Sequence, residues 1–190
     1  MTESEQPPVD KPDKADATSA ASLVLVNTGD GKGKSTAAFG TVLRAVAMGW
    51  KVAVVQFLKS GGWRVGEEKI CGELGVDWFA EGDGFTWDAE SLDESAALAK
   101  AAWDRASELI SAGDHRLVVL DEISYALSWG WVPTEDVVDV IVGRPETTSV
   151  ILTGRDMAAE IIEIADTVTE MRKVKHAFDR GIVAKKGIDY

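Results

Sequence analysis

Apolar positions in this chain keep two rhythms in turn. Short, mostly apolar runs at residues 23–27, 51–57, 76–80, 117–120 and 148–152 have the length and Val/Leu/Ile content of strands, and residues 167–171 add a sixth. The run at 23–27 ends at a glycine-rich loop and suits a central strand buried on both faces. Between the runs the spacing turns helical. Ala37, Ala38, Phe39, Val42, Leu43, Val46 and Ala47 form one apolar stripe over 34–48, which Gly49 can end. Ser91-x-x-Glu94 reads as a capping box opening a helix that runs to about 111 and stops at Gly113. Pro133, with Glu135 and Asp136 in the first turn, starts another helix, and Gly143 lies beyond its end. A further helix is expected over 157–165. Strands and helices in alternation predict an α/β fold, a mostly parallel sheet with helices on both faces. No internal repeat interrupts it.

The N-terminus departs from this pattern. Residues 1–21 carry Pro7, Pro8 and Pro12 and no aromatic residue, so they read as a disordered acidic tail ahead of a single domain over 22–190. A chain of 190 residues buries enough surface to hold a core without disulfides or structural metal. The single cysteine, Cys71, forms no internal disulfide, and no Cys/His cluster offers a zinc site. Thirty-two acids against twenty bases give a net charge of -12, which argues against a nucleic-acid partner. No apolar run resembles a secretion signal or approaches the roughly 18 residues of a membrane span. These features lead to the expectation of a cytoplasmic enzyme with no membrane contact.

The most informative segment is Thr28-Gly29-Asp30-Gly31-Lys32-Gly33-Lys34-Ser35-Thr36, between the first strand and the first helix. It is a variant of the phosphate-binding pattern G-x-x-x-x-G-K-[ST], with Thr28 at the first glycine position. Glycines at 29, 31 and 33 let backbone N–H groups turn inward as an anion nest, and the helix N-terminus adds donors and partial positive charge. Lys34 supplies an ammonium, Lys32 adds further charge, and the Ser35 hydroxyl can ligate Mg²⁺. A dinucleotide G-x-G-x-x-G is excluded, because its third glycine would fall on Lys34. Downstream, Leu117-Val118-Val119-Leu120-Asp121-Glu122 is an apolar strand ending in two carboxylates, the form of a metal-binding segment in ATP-using enzymes. Together the two segments indicate ATP with Mg²⁺ (or Mn²⁺).

What is done with the ATP is narrowed by a resemblance. The segment from Asn27 to Gly40 resembles the loop of the ATP:corrinoid adenosyltransferases of the CobA/CobO/BtuR type. Val55-Gln56-Phe57, Gly82-Asp83-Gly84-Phe85-Thr86-Trp87, Leu120-Asp121-Glu122-Ile123-Ser124-Tyr125 and Thr153-Gly154-Arg155 are similar to that family too. So are Val174-Lys175-His176-Ala177-Phe178-Asp179 and Gly187-Ile188-Asp189-Tyr190, so the likeness covers about residues 23–190 in order. It implies a P-loop NTPase-like (RecA-like) fold. It also implies transfer of the 5′-deoxyadenosyl group of ATP to cobalt(I) of a reduced corrinoid, with release of tripolyphosphate, in adenosylcobalamin biosynthesis or salvage. A homodimer and a reductase that supplies electrons come with it.

On this reading residues Thr28, Gly29, Asp30, Gly31, Lys32, Gly33, Lys34, Ser35 and Thr36 hold the triphosphate. Lys34 and Glu122 are the candidate catalytic residues, Ser35 and Glu122 the candidate metal ligands, and Asp121 an indirect or water-mediated partner. Arg155 is either a phosphate contact or a surface arginine. Phe85 and Trp87, on a glycine-hinged stretch, are either a plug over the core or, as the resemblance implies, corrinoid contacts. Aromatics there would exclude the lower axial ligand and ease reduction of cobalt(II) to cobalt(I). Arg44 and His176 read as structural, Tyr125 as lining pocket or core, and Trp129 and Trp131 as packing or a subunit contact. Asp30 stands where relatives often have Asn, and repels the triphosphate unless turned outward or aiding the metal. Two other uses of ATP stay open on the residues alone: a P-loop ATPase or kinase with Glu122 as base, and a regulatory module that only senses ATP.

Overall fold

A computed structural model describes residues 18–60, 66–82 and 92–189. Six strands, β1 (Val24–Thr28), β2 (Val52–Ser60), β3 (Asp77–Gly82), β4 (Leu117–Asp121), β5 (Ser149–Thr153) and β6 (Thr167–Glu170), form one sheet in the order β3-β2-β4-β5-β1-β6. Every neighbouring pair is parallel. The helices are α1 (Lys34–Ala47), α2 (Gly66–Glu73), α3 (Leu92–Ala112), α4 (Ile123–Ser128), α5 (Thr134–Val142) and α6 (Ala159–Ile164), followed by a 3₁₀ turn at Ala177–Arg180.

The layering follows from the strand order. From β1 the chain steps to β2 and then β3 in one direction, and from β3 it returns through β4 and β5 to β6 in the other. Right-handed crossovers then put the outward and returning helices on opposite faces. Accordingly, Ala38, Phe39 and Val42 of α1 and Cys71 of α2 pack on Val52, Val54, Leu117, Val119 and Ile151. Ala99, Ala102, Trp103 and Ile110 of α3, Val137 and Ile141 of α5 and Ile161 of α6 cover Val55, Phe57, Val118, Leu120, Val150 and Leu152. Alternate residues of one strand thus feed the two cores. Buried alanines at 99, 102 and 106 bring α3 close to the sheet.

Helices α1, α3, α5 and α6 and all six strands lie within a few residues of the positions that the sequence pattern predicts. Three differences have physical reasons. Strand β1 is not buried on both faces: Val24, Val26 and Thr28 are buried while Leu25 and Asn27 are half-buried, because β6 beside it is an exposed edge strand. Helix α2 escapes the pattern because its eight residues bury only Cys71. Helix α4 escapes because six residues, most of them buried, show no period. The acidic tail over 1–17 and Ser91 of the expected capping box lie outside the described residues.

Candidate active site

All six strands point their carboxyl ends the same way, and the chemistry-bearing loops collect there. Neighbouring β1 and β5 send their chains to opposite faces, which opens a crevice between the loop after β1 and the residues after β5. Strand β5 also separates β1 from β4, so the glycine loop and the Asp121-Glu122 pair stand two strand spacings apart, roughly 10 Å. A cleft of 310 Å³ fills this space. Loop residues 30–36 line one side, Glu122, Tyr125 and Arg155 face them, and Glu67, His176 and Asp189 complete the wall.

The loop is shaped by close packing as well as by its glycines. A Cβ on Gly31 would sit against the backbone of Met171 and Arg172, and the Gly31 N–H donates to the Met171 carbonyl. The chain leaving β6 therefore lies directly against the loop, and it takes the Gly31 N–H that the sequence pattern predicts to turn inward toward an anion. Lys34 is buried, and its Nζ donates to the carbonyls of Gly29 and Gly31 at 2.9 Å each. Burial lowers its pKa from the ordinary lysine value, with the charge of Arg155 acting in the same direction and that of Glu122 opposing it. Helix α1 opens at Gly33, and N–H groups of its first turn have no partner within the helix, so the cleft meets the positive end of a 14-residue dipole. Asn27 ties strand to helix through its amide, which donates to the Lys34 carbonyl at 3.2 Å.

Across the cleft, Asp121 is fully buried and accepts from Gln56 Nε2 at 2.9 Å and from the Thr153 hydroxyl at 2.8 Å. Glu122 follows it in the left-handed region, with φ 61, and lines the cleft with Ser35 and Lys34. A serine hydroxyl and a carboxylate are hard oxygen donors suited to Mg²⁺ or Mn²⁺, so the residues present fit such an ion. Tyr125 also faces the cleft, and burial, then the charge of Glu122, pushes its pKa up.

The structure brings together most of the residues singled out from the sequence. Asp30, Gly31, Lys32, Gly33, Lys34, Ser35, Thr36, Glu122 and Arg155 share the cleft. Thr28 and Gly29 lie beneath it: the Thr28 hydroxyl accepts from the Met157 N–H at 3.4 Å across the β1–β5 crevice. Asp30 turns outward to Arg155 at 3.5 Å, and Lys32 pairs with Asp189 at 2.6 Å. Phe85 and Trp87 lie outside the described residues. Arg44 is exposed in the last turn of α1. His176 caps the 3₁₀ turn, its Nδ1 accepting from the Phe178 N–H at 3.1 Å, and also reaches the cleft. Sequence reasoning passed over Gln56 and Thr153, whose signal is a polar residue near the carboxyl end of an apolar run. It also passed over Glu67 and Asp189 as cleft residues. Beside this site, Phe39, Leu43, Ile70 and Ile188 line an apolar cleft of 360 Å³ that shares Glu67 with it.

A parallel sheet with a glycine loop at the crevice between diverging strands defines an α/β protein of P-loop-like fold. Residues 20–190 match the family model described as ATP:corrinoid adenosyltransferase BtuR/CobO/CobP. The chain is 43% identical over 176 residues to the corrinoid adenosyltransferase of Escherichia coli (strain K12), covering 93% of this chain and 89% of that protein. It is 44% identical over 178 residues to the corrinoid adenosyltransferase of Pseudomonas aeruginosa, covering 93% and 87%. To the corrinoid adenosyltransferase CobA of Salmonella typhimurium it is 42% identical over 176 residues, covering 93% and 89%. The chain belongs to the ATP:corrinoid adenosyltransferase family.

Proposed function

We propose that this protein transfers the 5′-deoxyadenosyl group of ATP to cobalt(I) of a reduced corrinoid and releases tripolyphosphate. The observation that carries the reading is the single cleft that joins residues 30–36, the N-terminus of α1 and Glu122, in a chain that matches the family over its whole domain. Cobalt(I) is itself the nucleophile, so the protein has no nucleophile to supply. The new cobalt–carbon bond forms at C5′ as the C5′–O bond breaks, and the electron pair of that bond leaves on the triphosphate. Lys34, the loop and the α1 N-terminus bind that leaving group and offset its growing charge. Ser35 and Glu122 hold the divalent ion, which when bound neutralises charge on the departing chain. Attack needs cobalt, C5′ and the leaving oxygen in line, so fixing the triphosphate in the nest supplies much of the rate through orientation.

Asp30, turned outward to Arg155, holds that guanidinium at the cleft mouth, where it serves as a further phosphate contact. Phe85 and Trp87 are assigned to the corrinoid, on the family resemblance. The same resemblance gives the reading its homodimer and its separate reductase, and the cytoplasmic location rests on the N-terminal sequence, which has no apolar run like a secretion signal.

The direct test is anaerobic incubation with ATP and chemically reduced corrinoid, following the visible spectrum for cobalt–carbon bond formation and analysing phosphate products. Tripolyphosphate that appears only with corrinoid supports transfer. ADP as product moves the assignment to a kinase or ATPase with Glu122 as base. For the aromatic pair, Phe85→Ala is expected to slow the reaction from cobalt(II) far more than from pre-reduced cobalt(I). Equal losses from both remove the corrinoid role of Phe85.

A further inference from the structure

Thr153, the last residue of β5, has no part in the chemistry above, yet its hydroxyl touches both members of the carboxylate pair. The residue is fully buried. Its Oγ1 donates to Asp121 Oδ1 at 2.8 Å and accepts the backbone N–H of Glu122 at 2.9 Å. A hydroxyl has one proton and two lone pairs, so these two bonds fix its orientation: the proton goes to the carboxylate and a lone pair receives the amide. Gln56 Nε2 donates to the other oxygen, Asp121 Oδ2, at 2.9 Å. Asp121 is thus gripped from β2 on one side and β5 on the other, in a layer that the apolar core closes from below.

The consequence falls on Glu122. Its φ of 61 and ψ of 28 put a residue with a Cβ into the left-handed region, a strained conformation that persists only where neighbours enforce it. This turn aims Asp121 into the sheet and its successor into the cleft beside Lys34 and Ser35. The Thr153–amide bond secures the turn at its first atom. Packing alone does not ask for a hydroxyl here, because valine has the same shape and stands at buried positions further down β4 and β5.

We infer that Thr153 is a positioning residue, which through paired bonds to Asp121 and to the Glu122 amide sets the Glu122 carboxylate for the divalent ion beside the triphosphate. The inference rests on the proposal that Glu122 holds that ion. Its effect is expected in metal affinity more than in nucleotide affinity, since partners that orient a ligand typically change metal affinity by about 10–100-fold.

The test compares wild type, Thr153→Val, Thr153→Ser and Glu122→Gln. Mn²⁺ binding to the ATP-loaded protein is read by electron paramagnetic resonance, alongside the Mn²⁺ concentration for half-maximal transfer, metal-free ATP affinity and thermal melting. Thr153→Val is expected to weaken Mn²⁺ binding about tenfold or more while metal-free ATP affinity stays within about twofold, and Thr153→Ser is expected to restore it. Should the valine variant fail to fold, Thr153→Ala is read by the same criteria. Mn²⁺ affinity unchanged in Thr153→Val but lost in Glu122→Gln overturns the role of Thr153 and leaves the proposed function standing. A serine variant as weak as the valine variant overturns it too, since packing rather than the hydroxyl would then matter. Mn²⁺ affinity unchanged in Glu122→Gln overturns the metal assignment and the inference together.

Discussion

The two ends of the sheet each hold a carboxylate in a polar cluster, and they are built in opposite ways. At the carboxyl end, Asp121 is fully buried and held by two neutral donors, Gln56 and Thr153, with a left-handed residue after it and a cleft in front. At the amino end, Asp77 is half-exposed. It accepts from buried His115 Nε2 at 2.8 Å, with Lys51 Nζ 3.6 Å away. There the chain is regular, Lys51 stands beside the carboxylate, and no positive φ intervenes at 51, 77 or 115. A half-exposed carboxylate held by a histidine and a nearby lysine is a fastening. A buried carboxylate hydrogen-bonded by Gln56 and Thr153, followed by a strained residue that lines the cleft with Lys34, stands where a ligand's charge can enter.

Four measurements would break or sharpen that contrast. The largest effect is expected for Lys34→Ala, which should lower adenosyl transfer to chemically reduced corrinoid by about 10²-fold or more while melting stays near wild type. The matching change at the other end, Lys51→Ala, should leave the rate unchanged; a comparable loss there would erase the distinction.

Next comes Gly154→Ala. Gly154 has φ 141, and a Cβ there would collide with the Ser124 hydroxyl and approach its backbone N at 3.2 Å. Overpacking of this kind typically costs 1–3 kcal/mol, so the melting temperature should fall by roughly 2–10 °C. A stable alanine variant would show that the carboxyl end is looser than its geometry indicates.

A smaller effect attaches to the C-terminal wall. Asp189 neutralises Lys32, and its own pKa is held below the ordinary carboxylate value by the Lys185 N–H and by Lys32. Asp189→Ala should therefore tighten ATP binding by about threefold at low salt, an effect that calorimetry would see fade as salt screens the loop. Weaker binding would mean that the C-terminal segment builds the site rather than competing with its ligand.

The smallest effect belongs to the amino end. The hydrogen bond from His115, helped by the charges of Lys51 and His115, holds the Asp77 pKa below its ordinary 3.8 against a smaller opposing effect of burial. A lowered carboxylate pKa stabilises the fold above the unfolded value and loses that contribution as pH falls through the folded one. Wild type should thus lose an advantage over Asp77→Asn below about pH 4, and by less than about 1 kcal/mol, because the pair is half-exposed and screened. Parallel melting curves of the two proteins from pH 6 to 3 check this.

The contrast also explains what could be read from residues alone. Strands β2, β4 and β5 were legible because a parallel strand covered on both faces must be a run of apolar residues, and β1 was legible as a short apolar run although one of its faces is only half-buried. Helices α1 and α5 were legible from one apolar stripe and their end signals. The glycine loop was legible because strand, nest, lysine and helix are contiguous. Asp121 and Glu122 stood out as acids ending an apolar run, with Glu122 read as the metal ligand and Asp121 as an indirect partner, but the contacts behind that division did not. That division depends on Gln56 from β2 and Thr153 from β5, which are 65 and 32 residues from Asp121 along the chain.

The sequence by itself determined the periodicities, the glycine loop ahead of α1 and the family likeness, since each of these is local and needs only neighbours along the chain. Only the tertiary structure decided that the chain after β6 lies against that loop, that Asp189 meets Lys32, and that one buried hydroxyl joins both carboxylates. Those contacts join residues from distant segments, and they exist only because the sheet's strand order puts β5 between β1 and β4, and β6 beside β1.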